Sequence, residues 1–128
     1  MKLIPLLLLV GMLAVSGWAY DYDYRTSEPY SAELVQKAEA GDAVAQYDLG
    51  LCYSEGLVVA KDQKEALKWI TKSAEQGYAL AECLLGRCYL FAMGIKKDEM
   101  KAVKWLTKAA DHGNAEAKEV LEKIKSKQ

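Results

Sequence analysis

Three glycines, Gly41, Gly77 and Gly113, stand 36 residues apart, and much of the chain keeps step with them. Ala38, Ala74 and Ala110 share the interval, as do Ala45, Ala81 and Ala117. Leu49-Gly50 returns as Leu85-Gly86, Cys52-Tyr53 as Cys88-Tyr89, Asp62 as Asp98, Ala66 as Ala102, and Trp69 as Trp105. A fixed period of roughly 20–50 residues marks a repeat architecture, in which no unit buries its apolar face alone and neighbours must stack.

Each period divides into two helical stretches. In the first, Ala45, Leu49, Gly50 and Tyr53 fall on one stripe of a 3.6-residue helix. Glycine inside a helix costs about 1 kcal/mol against alanine, so its return at Gly50 and Gly86 implies a neighbouring helix too close to admit a Cβ. The second stretch opens at Asp62 or Asp98, each placed to cap a helix, and Asp62-Gln-Lys-Glu65 has the form of an acidic capping box. Ala66, Trp69, Ile70 and Ala74 then form one face, repeated as Ala102, Trp105, Leu106 and Ala110. That register makes both tryptophans inter-helix core residues, and Tyr53 and Tyr89 packing residues. Gly77 and Gly113 close these helices as the residue beyond the cap, where positive φ is common. In the connections, Val59 and Ile95 are expected to tuck back under the helices.

Residues 31–40 align with the end of a second-type helix. Residues 114–126 align with a first-type helix, but Glu122 replaces the repeating glycine and lysines at 118, 123, 125 and 127 make its outer side polar, so it reads as a terminal cap. The expected fold is all-α: an α/α superhelical solenoid with two full repeats, about 41–76 and 77–112, between half-repeats in a domain covering 31–128. Six helices are expected, near 31–40, 42–54, 62–76, 78–91, 98–112 and 114–126.

This pattern resembles the Sel1-like repeat family, related to tetratricopeptide repeats. The resemblance is carried by Ala45-Gln46-Tyr47-Asp48-Leu49-Gly50-Leu51-Cys52-Tyr53, by Asp62, Ala66 and Trp69, and by Lys72-Ser73-Ala74-Glu75-Gln76-Gly77, recurring from Ala81 through Gly113. It extends from Ser31 to about Ile124. The loops depart from the family's usual Gly-x-Gly-Val: Val58 replaces one glycine and Ala92 another, which leaves the loop conformation open.

The N-terminus is a separate element. In MKLIPLLLLVGMLAVSGWA, Lys2 precedes an uncharged, mostly apolar run to Val15, with small residues at Gly17 and Ala19. The run is shorter than the ~20 residues a membrane span needs, so residues 1–19 read as a secretory signal cut after Ala19, the rival being an uncleaved anchor. Residues 20–30 alternate tyrosine with acid and form an expected leader. The mature protein is then expected to be periplasmic or secreted, with no stable membrane span. Seventeen Lys and Arg against eighteen Asp and Glu argue against a nucleic-acid partner. One histidine and three cysteines point to neither a metal site nor a cofactor.

Solenoids bind partners on the face formed by the first helix of each pair. Placed as the resemblance implies, this groove comprises Val44, Tyr47, Leu51 and Glu55, then Leu80, Cys83, Arg87 and Phe91, then Glu116, Glu119 and Lys123 of the cap. Arg87 suits a partner carboxylate, and Tyr47 and Phe91 an apolar side chain; the leader's acids and rings match the same groove. The plain alternative is that these side chains finish helix packing. The function implied is a noncatalytic exported adaptor holding an unidentified protein or peptide. The alternative, by family association, is a cell-envelope enzyme that binds or hydrolyses β-lactams, although no Ser-x-x-Lys occurs. His112 at a helix C-terminus suits the dipole there.

An oxidising compartment favours disulfides. Cys52 and Cys88, one repeat apart, should be separated by the ~9–10 Å between stacked helices, beyond the ~7 Å a disulfide spans. Cys83 and Cys88 point in different directions from one helix. Related cysteine-rich proteins bridge paired helices, but the second-type helices here hold no cysteine. A Cys52–Cys83 bridge stays open beside buried thiols. The odd count leaves one free or intermolecular thiol, so a thiol-linked dimer stays open beside a monomer.

Overall fold

The computed structural model describes residues 30–128; the signal, its cleavage site and nearly all of the leader lie outside them. Six helices follow in order: α1 Ala32–Glu39, α2 Ala43–Glu55, α3 Gln63–Glu75, α4 Ala79–Phe91, α5 Glu99–Asp111 and α6 Ala115–Ser126. Among the described residues the fold is all-α. Each helix lies within a residue or two of its expected place, and the remaining difference lies in the caps. Ser31, Asp42, Asp62, Asp98 and Asn114 each accept a hydrogen bond from the backbone N–H three residues on, at 2.8–3.1 Å. Tyr78, in the same position before α4, has no side-chain cap.

The expected capping box is only half formed. Asp62 accepts from the Glu65 N–H at 3.1 Å, but its own N–H donates to the Tyr53 carbonyl at 2.9 Å. The Glu65 carboxylate instead accepts from Lys68 Nζ at 3.2 Å and from the Trp69 indole N–H at 3.1 Å. The backbone tie to the preceding helix leaves nothing for Glu65 to cap.

Packing runs between consecutive helices, most extensively within the pairs α2/α3 and α4/α5. The core is three successive layers, each shared by three helices. Leu34, Ala38, Ala45, Leu49, Cys52 and Trp69 join α1, α2 and α3. Tyr47, Leu51, Ile70, Ala74, Leu84, Leu85 and Cys88 join α2, α3 and α4. Cys83, Leu106, Ala109 and Ala117 join α4, α5 and α6. The repeating glycines set the spacing within a pair: a Cβ on Gly50 would lie 2.6 Å from Ile70 Cγ1, and one on Gly86 2.7 Å from Leu106 Cγ.

The tryptophans differ despite their shared register. Trp69 is buried, whereas Trp105 is only half-buried and packs at the edge of the second layer. Position 101, equivalent to Glu65, is lysine, so no carboxylate meets the Trp105 indole from there. Lys108 lies over its ring at 4.6 Å, as Lys72 does over Trp69.

The two loops adopt matching backbone conformations from different residues. Gly56 and its counterpart Ala92 have φ of 67° and 54°, and Val58 and its counterpart Gly94 have φ of 67° and 71°. Each loop needs two left-handed positions and keeps one glycine. The tertiary ties also match: Leu57 and Met93 donate to the Cys52 and Cys88 carbonyls at 3.1 and 3.0 Å, and Asp62 and Asp98 to the Tyr53 and Tyr89 carbonyls at 2.9 and 3.0 Å. Val59 and Ile95 pack against the core as expected.

Candidate functional site

The first helices α2, α4 and α6 form a row, and the eleven groove positions divide along it by burial. At the N-terminal ends, Val44 and Leu80 are 49% and 46% exposed, and Phe91 at the end of α4 is 60% exposed. The middle of the row is closed. Tyr47, Leu51 and Cys83 are core residues, which corrects their expected place in an open groove: the layers each shared by three helices take up those positions, Tyr47 and Leu51 with Ile70 and Ala74 of α3, and Cys83 with Leu106 and Ala109 of α5. The Tyr47 ring stands edge-on to Tyr78, with centroids 5.4 Å apart. Burial, reinforced by Tyr78 and Asp48, pushes its hydroxyl pKa far above the ordinary value.

Arg87 is also committed within the chain. Its Nη1 lies 2.9 Å from Glu116 Oε1, with the arginine side chain mostly buried, so α6 already supplies the carboxylate expected from a partner. Glu119 and Lys123 pair along the exposed face of α6 at 2.8 Å, which lowers the Glu119 pKa. Glu55 is half-buried; desolvation raises its pKa against the pull of Lys61, and its Oε1 is buried without a hydrogen-bond partner.

Two recesses open beside the Arg87–Glu116 pair. A crevice of about 30 Å³ lies between Tyr47, Leu80, Cys83 and Asn114. A cleft of about 590 Å³ opens where the C-terminal ends of α4 and α6 meet the start of α5. Leu90, Phe91, Val120 and Ile124 give it an apolar side; Lys97, Glu99, Lys123, Lys127 and Gln128 complete the lining. Of its lining, the sequence reading had placed Arg87, Phe91, Glu116 and Lys123 in the groove. Lys97, at the end of a loop of the second pair, and Val120 and Ile124, on the inner side of the cap helix, were missed. The i, i+4 spacing of Val120 and Ile124 was the available signal.

A polar tie between the two helices of each repeat was missed too. Gln46 and Gln76 side chains hydrogen-bond at 2.8 Å, and their amides also donate to the carbonyls of Ala38 and Gly41. One repeat on, these positions are Glu82 and His112, joined at 2.7 Å between His112 Nδ1 and the fully buried Glu82 carboxyl. His112 therefore holds a buried acid in place as well as ending α5.

The three cysteines are free and buried. Burial raises the thiol pKa values of Cys52, Cys83 and Cys88 to about 11, 12 and 12, with Asp48 adding to the shift at Cys52 and Glu116 at Cys83. Such thiols are small core hydrophobes with little thiolate character. Among the described residues, no cluster of three His, Cys, Asp or Glu side chains could hold a metal ion, and no helix is long and apolar enough to cross a membrane.

Stacked antiparallel helix pairs with a 36-residue period, close glycine contacts and a first-helix row define an α/α solenoid repeat protein. Residues 43–78 and 79–114 each match the Sel1 repeat, and the chain belongs to the Sel1 repeat family. Among solved structures it is similar to a Sel1 repeat protein from Oxalobacter formigenes, with TM-score 0.69 and 38% identity over 70% of this chain and 68% of that one. It is also similar to c5321, a protective antigen present in uropathogenic Escherichia coli strains and displaying an SLR fold, with TM-score 0.66 and 39% identity over 71% of this chain and 20% of that one. A 36-residue stretch is 50% identical to the sel1-like repeat-containing protein L18 of Acanthamoeba polyphaga mimivirus; it makes up 28% of this chain and 6% of that protein. Sel1 repeats generally serve as noncatalytic protein-interaction scaffolds.

Proposed function

We propose that the protein is an exported, noncatalytic adaptor that binds a protein or peptide along its first-helix row. The observation that carries this reading is the exposure of Val44 and Leu80, two aliphatic side chains at equivalent positions of successive repeats, aligned with Glu116 of the cap. Exposed apolar side chains in a row give a partner area to bury, worth about 25 cal/mol per Å². Export is supported by the pattern of residues 1–19, and a periplasmic or secreted location follows from it.

The test is affinity capture from the source cell envelope with the wild type, Val44→Glu/Leu80→Glu, and Lys64→Glu on the outer helices as a control. Loss of one captured protein with the double variant alone supports the adaptor. Equal retention by all three refutes the row as the binding face, and turnover of a β-lactam by the purified protein would replace the adaptor with the enzyme. For export, mass spectrometry of secreted or periplasmic material should find Tyr20 at the N-terminus. Intact Met1 in a membrane fraction would contradict it.

A further inference from the structure

The cleft at the C-terminal end of the stack is chemically unlike the rest of the first-helix row. Its lining has an apolar part and a charged part, in which the cations Arg87, Lys97, Lys123 and Lys127 outnumber the carboxylates Glu99 and Glu116. Leu90, Val120 and Ile124 are half-buried, and Phe91 stands exposed at their edge. Lys97 and Lys127, both exposed, reach the same cleft from the loop before α5 and from the C-cap of α6. Inside, Arg87 and Glu116 are already paired. The whole chain has a formal net charge of −1, so this positive excess is local.

We propose that this cleft docks an acidic peptide segment of a partner protein through one aliphatic or aromatic side chain, with flanking carboxylates on Lys97 and Lys127. The proposal rests on the adaptor reading and names the chemistry of its partner. At about 590 Å³, the cleft has the size of a site for one anchored side chain and its neighbours, within the roughly 300–1,000 Å³ usual for ligand pockets. Charge complementarity selects the occupant. A second copy docking cleft to cleft would bring two patches of the same net positive charge together, which is unfavourable. A nucleic acid would meet Glu99 among the lysines, with Phe91 as the single aromatic for its bases, short of the stacking platform that single strands use.

The experiment uses a fluorescein-labelled peptide, Gly-Asp-Glu-Phe-Asp-Glu-Leu, in anisotropy titrations of the whole protein. Controls are the same peptide with lysine for every acid, the same peptide with alanine for Phe and Leu, and a labelled ten-thymidine strand. The expected result is saturable binding of the acidic peptide with Kd below about 1 mM, weakening as salt rises. Lys97→Glu/Lys127→Glu should weaken it at least about tenfold and flatten the salt dependence, because rim charges act through long-range attraction. Phe91→Ala should weaken it at least about threefold, as loss of an aromatic anchor does. In the wild type, the methyl resonances of Val120 and Ile124 should shift on titration. Absence of binding, tighter binding of the DNA strand, or binding that leaves those methyls unmoved overturns the proposal. A cellular partner captured equally by the wild type and by Lys97→Glu/Lys127→Glu also removes the cleft while leaving the adaptor reading intact.

Discussion

The close approach of α4 and α5 makes Gly86→Ala a test whose sign is informative. In an isolated helix, alanine is about 1 kcal/mol more favourable than glycine, so propensity alone predicts stabilisation. In the folded protein the new Cβ would sit 2.7 Å from Leu106 Cγ, 3.1 Å from Leu106 Cδ2 and 3.2 Å from the Ala102 carbonyl oxygen. Leu106 is fully buried and the contact is at its branch point; the carbonyl is backbone. Neither can swing aside, so the helices must part. Overpacking of this kind costs roughly 1–3 kcal/mol. After the propensity gain, a net loss of about 1 kcal/mol is expected, lowering Tm by about 4–8 °C for a domain near 100 residues. Leu106→Ala alone should cost about 2–5 kcal/mol. In that background Gly86→Ala should become neutral or stabilising, because the added methyl meets the vacated space, giving a coupling of at least about 1 kcal/mol. Thermal and urea unfolding followed by circular dichroism measures all four proteins. If Gly86→Ala raises Tm in the wild-type background, or has the same effect in both, the glycine is not there for close packing.

Trp69→Ala should cost about 3–5 kcal/mol, and Trp105→Ala measurably less, because Trp105 is half-buried; equal losses in urea titrations would contradict the burial difference. Val58→Gly should stabilise by up to about 1 kcal/mol, since a β-branched side chain at φ 67° carries left-handed strain of about 1–2 kcal/mol, partly offset by glycine's greater unfolded-state entropy; a fall in Tm would refute the strain. The native thiols should resist alkylation at pH 8, with three reacting in denaturant. Because burial raises their folded pKa from 9.0 to about 11 or 12, the unfolded chain loses these protons first, so their contribution to stability is intact below about pH 8 and declines as pH rises from 9 towards 12. Rapid native labelling, or stability rising over that interval, would show the thiols to be exposed.

Helix number, type, order and near-exact limits were legible because each is local or periodic. Asp62 and Asp98 mark starts, Gly77 and Gly113 mark ends, and a 36-residue recurrence needs no tertiary information. The loop conformation was readable only by superposing the two loops. Val58 and Ala92 looked like departures from a glycine pattern, yet the backbone ties through Leu57, Met93, Asp62 and Asp98 hold both in the left-handed region that glycine favours. The capping box failed for the complementary reason: Asp62's N–H was taken by Tyr53, a partner outside the local motif.

The candidate site was legible by face and illegible by depth. Sequence spacing assigned Tyr47, Leu51, Cys83 and Arg87 to the first helices, which the structure has as α2 and α4, because helical periodicity is a local signal. Whether that side is groove or core depends on how the three helices of each layer close on one another, a quantity set by the sum of their contacts. The tertiary structure alone made Tyr47, Leu51 and Cys83 interior, gave Glu116 to Arg87 and His112 to Glu82, and left a cleft where the C-terminal ends of α4 and α6 meet the start of α5. It also separated Trp69 from Trp105, which share a register and differ in surroundings. The sequence determined which residues repeat and therefore how the helices stack, since periodicity is a property of the chain; exposure at the row was decided by packing distance, a property no single repeat contains.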